Sequence, residues 1–98
     1  MTEAMEIYRE AQHELKEADH YYSKAYDLRR HMSVYGTGNF SEKQIASWKK
    51  DIAMYKREEG KCRRKHKSLM KKIKWDPTKE QYRLKSAAEK IAEAARRK

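Results

Sequence analysis

The residues best suited to chemistry in this chain of 98 amino acids form a basic run between Lys61 and Lys74. The run holds eight Lys or Arg residues and no acid. A solvated helix face normally mixes both signs of charge, so this composition favours an anion-binding surface. Each Lys or Arg that contacts a phosphate releases counterions, which makes such binding strongly salt-dependent. The predicted binding residues of the run are Lys61, Arg63, Arg64, Lys65, Lys67, Lys71, Lys72 and Lys74.

Bases nearer the C-terminus extend the predicted surface, and we include Arg83, Arg96 and Arg97 in it. Lys predominates in the basic run, and Asn and Gln are absent from it. Side chains that read base edges are mostly Arg, Asn and Gln, whereas Lys-rich faces suit the phosphate backbone. A nucleic-acid partner would therefore be bound with little sequence specificity, and the sequence does not distinguish DNA from RNA.

The net charge of +10 is unevenly distributed. Residues 1–35 contain five bases and seven acids, whereas residues 36–76 contain thirteen bases and five acids. Residues 77–98 contain seven bases and three acids. This asymmetry indicates a polyanion, an anionic membrane surface or an acidic protein face as the partner.

Other residue patterns are better explained by packing. Cys62 and His66 share a helix face at the spacing of metal ligands, but both lie on an apolar stripe, so we predict core packing and neither a metal nor another cofactor. His13 falls on the outward side of its helix. Trp75 has two interpretations, stacking on a base or filling a corner between helices, and the second is favoured.

The sequence contains no phosphate loop, no zinc-protease motif and no nucleophile elbow, so we do not predict an enzyme. A single cysteine excludes an internal disulfide bond. No apolar run approaches the ~20 residues of a membrane span, and the acidic first residues do not resemble a signal peptide. A cytoplasmic location is therefore expected.

Two long helices must position the basic run. Helix 1 is predicted over residues 3–35, with Thr2 as its N-cap and an alanine at every seventh position of its core stripe. Helix 2 is predicted over residues 42–75, because Ser41 and Gln44 form a capping box at its start. Its stripe residues are Ile45, Trp48, Ile52, Tyr55, Glu59, Cys62, His66, Leu69 and Ile73.

Small residues also recur at every seventh position of helix 2. An antiparallel arrangement places Ala46, Ala53 and Gly60 opposite Met32, Ala25 and Ala18, respectively. This match predicts a helical hairpin that folds back at Asn39, with a bend or a tight crossing at Gly60.

Helix 3 is predicted over residues 77–97, because Asp is a good N-cap and Pro is favoured at the first helical position. The predicted fold is all-α: one domain over residues 1–98, with a long antiparallel hairpin and a shorter C-terminal helix. Dimerisation into a bundle is a further expectation, because the core is small.

Two functional hypotheses follow. The first is a basic helical nucleic-acid-binding protein that contacts the phosphate backbone. The second is an adaptor or inhibitor that docks on the acidic face of a larger protein through its charged helical surface. Binding to an anionic membrane is a weaker third hypothesis, because the hairpin already uses the apolar stripe of the basic helix.

Overall fold

A computed structural model of the protein describes residues 2–36, 38 and 40–96. Its elements are α1 (Glu3–Tyr35), α2 (Glu42–Met70), β1 (Ile73–Asp76), β2 (Gln81–Leu84) and α3 (Ala87–Arg96). The helices α1 and α2 pack against each other in an elongated molecule of 59 × 33 × 17 Å. The predominantly helical fold with a long hairpin and a short C-terminal helix is confirmed, and the two-stranded sheet is an addition that the sequence did not predict.

The starts of both long helices follow their capping residues. The Thr2 hydroxyl accepts a hydrogen bond from the Met5 backbone N–H at 3.3 Å. The Ser41 hydroxyl accepts one from the Gln44 N–H at 3.1 Å. Each cap satisfies an N–H group that has no partner within its own helix. These local signals explain why both helix starts could be predicted from the sequence.

A column of alanines forms the centre of the hairpin. Ala4, Ala11, Ala18 and Ala25 are at most 4% exposed, while every α2 stripe residue before Leu69 is only half-buried. Among the described residues no large side chain is fully buried. Alanine lets the two helix backbones approach closely, and no third described helix packs over the pair, so its flanks stay accessible.

The fold-back brings the residues of α1 beside those of α2 in antiparallel order. The His31 ring lies 5.1 Å from the Trp48 ring near the loop, and the His66 Nδ1 lies 2.8 Å from the Ala11 carbonyl oxygen near the far end. The predicted small-residue column of α2 is wrong, however, because Ala46 and Ala53 are exposed. Gly60 lies in an unbroken helix, and a Cβ there would meet only the flexible Arg64 side chain, at 3.3 Å.

The second helix ends at Met70, five residues before its predicted end, and an antiparallel β-hairpin follows. Trp75 pairs with Tyr82, and Ile73 pairs with Leu84. The Asp76 carboxylate does not cap a helix. It accepts hydrogen bonds from the Thr78 and Lys79 N–H groups at 3.0 and 3.4 Å and thereby stabilises a turn. β-Branched and aromatic residues on either side of this turn favour strands.

The third helix begins at Ala87 rather than at residue 77. Its start is a reciprocal capping box in which the Ser86 hydroxyl accepts from the Glu89 N–H at 3.2 Å and the Glu89 carboxylate accepts from the Ser86 N–H at 3.1 Å. None of its described residues is buried, and Ile91 is 70% exposed. Polar contacts, rather than a buried face, therefore hold α3 in place.

Aromatic rings attach the β-hairpin to α1. Tyr82 stacks on Tyr8 with ring centroids 4.4 Å apart, and Trp75 packs edge-on against Tyr82 at 5.2 Å. Trp75 is 49% exposed, so the interpretation that it fills a corner between helices is wrong. Its position on a strand explains the difference, because β1 separates α2 from α3.

Candidate anion-binding surface

The outer face of α2 carries a column of bases, which we call the basic ridge. Its members recur at every seventh position: Lys43, Lys50, Arg57, Arg64 and Lys71. Lys71 is the C-cap and keeps right-handed helical backbone angles, so it continues the column. At ~1.5 Å per residue, neighbouring members lie about 10 Å apart along the axis. The first four are exposed and Lys71 is half-buried.

The ridge is unusual because none of its five cations has an ion-pair partner within the part of the chain that the structure describes. Beyond Glu42 in the first turn, the acids of α2 are Asp51, Glu58 and Glu59, and all three are half-buried. The negative charges of α2 thus lie toward α1 and the positive charges of the ridge lie toward solvent. This separation leaves the ridge with an uncompensated field.

The predicted basic run divides into parts with different surroundings. Arg63 contacts Glu59 at 2.7 Å and Asp19 of α1 at 3.3 Å, and Lys65 contacts Glu14 of α1 at 3.3 Å. These two residues therefore bridge the two helices on opposite flanks of α2 and do not belong to the basic ridge. Hydrogen bonds to Glu59 and, to a smaller extent, to Asp19 raise the pKa of Arg63 above its ordinary value. Lys61 also has an acidic neighbour, Glu58, at 3.4 Å.

Two predicted site residues belong to the β-hairpin. Lys74 and Arg83 pair directly across the strands, and the Glu89 carboxylate of α3 lies between their charges. Arg83 binds it through two nitrogens, at 2.6 and 3.0 Å, and Lys74 lies 3.4 Å away. The contact with Arg83, followed by the Ser86 N–H, holds the pKa of Glu89 well below its ordinary value. Placing Lys74 on helix 2 was wrong because that helix has already ended.

The other predicted site residues that the structure describes have no ion-pair partner among the described residues. Arg64 and Lys71 are members of the ridge, and Lys67 is an exposed neighbour on the same helix. Lys72 lies in the turn after α2 rather than on its outer face, and Arg96 is exposed at the end of α3. Arg97 lies outside the described residues.

Three ridge residues were missed because they lie outside the dense basic run: Lys43, Lys50 and Arg57. Their signal was present as a seven-residue spacing that continues Arg64 and Lys71 back to the start of α2. A search for local charge density overlooks such a column, whereas a search for heptad spacing finds it.

The Cys62–His66 pair is used in packing. The His66 Nδ1–H donates to the Ala11 carbonyl at 2.8 Å, since a carbonyl oxygen can only accept. Burial and then a hydrogen bond with Glu14 raise the pKa of the Cys62 thiol. Across the described residues, no group of three or more His, Cys, Asp and Glu side chains is arranged to hold a metal ion.

No helix in the described part of the chain has the length and apolar character to cross a membrane. Comparison with known proteins gave no match to a family model, to a curated protein or to a solved structure.

Proposed function

We propose that the protein is a nucleic-acid-binding protein that holds the phosphate backbone on the basic ridge, with little sequence specificity and without catalysis. The observation that carries this proposal is a column of bases, without ion-pair partners among the described residues, along about 40 Å of one helix at ~1.5 Å per residue. Polyanions carry regularly spaced negative charges. When the ridge cations contact those charges, they release the counterions condensed on the polyanion.

The chemistry of the ridge favours backbone contact over base readout. Its side chains are three Lys and two Arg, and the exposed small residues Ala46 and Ala53 lie beside them on the same helix face. Small neighbours let a phosphate chain approach the ridge closely. Lys is a point charge without the planar fork that recognises guanine edges, so binding to different sequences should be similar.

The test is a fluorescence anisotropy titration of the full chain with mixed-sequence DNA and RNA duplexes at low and moderate salt. We expect binding at low salt that weakens at least tenfold on moving to about 200 mM salt. The double variant Arg57→Glu/Arg64→Glu should lose this binding while keeping its helical circular dichroism. Absence of binding to any nucleic acid at low salt would overturn the proposal.

An acidic protein surface is the alternative partner. A pull-down from nuclease-treated lysate decides between the two: recovery of one stoichiometric protein through the same ridge residues favours an adaptor or inhibitor. We also propose a cytoplasmic location and self-association. Analytical ultracentrifugation tests the self-association directly.

A further inference from the structure

A groove on one flank of the hairpin has the chemistry of a second binding site. Met32 of α1 and Ile52 of α2 form its half-buried apolar floor. Arg29, Lys49 and Lys56 line it as well, and its volume is about 310 Å³. No acid lines the groove, and none of the three cations has an ion-pair partner in the described ranges of the chain.

Two exposed tyrosines extend the groove along α1. Tyr22 and Tyr26 are 53% and 51% exposed, and their rings stack with centroids 6.5 Å apart. Arg29 follows Tyr26 by three positions and Tyr22 by seven, so all three residues share one side of the helix. The flank therefore combines aromatic faces, an apolar floor and three cations that no described acid neutralises.

From this combination we infer that the groove and the two tyrosines bind a single-stranded segment of nucleic acid. Bases would stack on Tyr22 and Tyr26, and phosphates would contact Arg29, Lys49 and Lys56. Every base has a π-face, so this mode tolerates any sequence. The five residues of the basic ridge include no aromatic side chain, and the ridge is suited to a duplex backbone. The ridge would therefore bind base-paired regions of a nucleic acid, and the groove would bind single-stranded regions.

The charges argue against two other occupants. A second copy of the chain would bring the same three cations of its own flank toward these ones if the flanks paired symmetrically, and their repulsion opposes it. An acidic peptide would satisfy the cations but would leave the exposed tyrosine faces without the flat partners that bases provide.

This inference rests on the proposed function, and its test separates the two. We compare three probes of equal length: a mixed-sequence single strand, the same strand with abasic sites and a duplex. We expect Tyr22→Ala/Tyr26→Ala to weaken single-strand binding about tenfold or more, because stacking contributes ~1–3 kcal/mol per base. Duplex binding should change less than about twofold, because the ridge is untouched.

The matched control is Tyr22→Phe/Tyr26→Phe, which keeps both rings and should retain single-strand binding. The abasic strand should bind the wild-type protein about tenfold more weakly than the intact strand. Equal affinity for the intact and abasic strands, or no effect of the alanine variant, would overturn the inference and leave duplex binding standing. Failure of all three probes to bind at low salt would instead overturn the proposed function.

Discussion

The two sides of α2 carry the same residue types in different surroundings. On the side toward α1, Arg63 and Lys65 contact the acids Asp19 and Glu14 and help to fix the two helices in register. On the outer side, Arg57 and Arg64 have no acidic partner within the described chain. The difference shows that the presence of an acid within reach, rather than the local density of bases, decides which cations are neutralised.

The sharpest way to break this comparison is to neutralise two cations on each side. Arg57→Gln/Arg64→Gln and Arg63→Gln/Lys65→Gln remove the same net charge. We expect the ridge variant to lose about 100-fold in affinity for duplex nucleic acid at low salt, since charge-assisted contacts contribute ~1.5–3 kcal/mol each. The flank variant should stay within about threefold of the wild type, because its acids already neutralise those charges. Equal losses of duplex affinity in the two variants would contradict the distinction between ridge cations and flank cations.

The same two sides should differ in tolerance to larger side chains. Ala11 is fully buried at the hairpin interface, whereas Ala53 is exposed beside the ridge. Ala11→Leu should lower the free energy of unfolding by about 1–3 kcal/mol through overpacking. Ala53→Leu should change it by less than about 0.5 kcal/mol. Urea denaturation followed by circular dichroism measures both values. A large loss of stability in Ala53→Leu would contradict the assignment of Ala53 to the exposed side of the helix.

A smaller effect is expected where α3 joins the β-hairpin. The pKa of Glu89 is depressed from 4.5, so its stabilising contacts are fully present above pH 4.5 and are lost as pH falls toward the lowered pKa. Relative to the intrinsic exchange rate at each pH, amide hydrogen exchange in α3 should become faster over that acidic range, while the Ala11 and Ala18 region stays protected. Glu89→Gln should show the faster exchange already at neutral pH, and slow exchange in that variant would contradict the role of the carboxylate.

The smallest effect concerns Cys62. Its raised pKa lowers the thiolate fraction in the folded protein, so alkylation should be slower there than in the urea-unfolded chain. The pH midpoint of the reaction should also lie higher in the folded state. A faster reaction in the native protein would indicate that Cys62 lies in a positive environment instead.

Much of the hairpin could be predicted from sequence because its signals are local and periodic. Thr2 and Ser41 marked two helix starts, and the alanine column marked the interface. The C-terminal part was mispredicted because Asp76-Pro77 suits a helix start and a turn equally well. The choice depended on cross-strand pairing of Trp75 with Tyr82 and on the Ser86–Glu89 capping box. The β-hairpin packs on α1 through the stacking of Tyr82 on Tyr8, a contact between residues distant in sequence, whereas the capping box was readable from the sequence and was overlooked.

The sequence pointed to the helix that carries the basic ridge, but it did not delimit the ridge. A charge-dense run pointed to α2, yet it included Arg63 and Lys65, whose partners Asp19 and Glu14 are on another helix. The contacts with Asp19 and Glu14 depend on the tertiary register, which local sequence does not contain, whereas the contact of Arg63 with Glu59 four positions earlier was readable from it. The heptad spacing of the ridge, by contrast, was readable throughout.

The most direct test of the ridge is the slope of log binding constant against log salt concentration for a DNA duplex. Five ridge contacts predict a slope of about −4.5, since each neutralised phosphate of B-DNA contributes about −0.9. Arg57→Gln/Arg64→Gln should make the slope shallower by about 1.8. A slope unchanged by this variant, or near zero in the wild-type protein, would contradict the assignment of the basic ridge to the phosphate backbone.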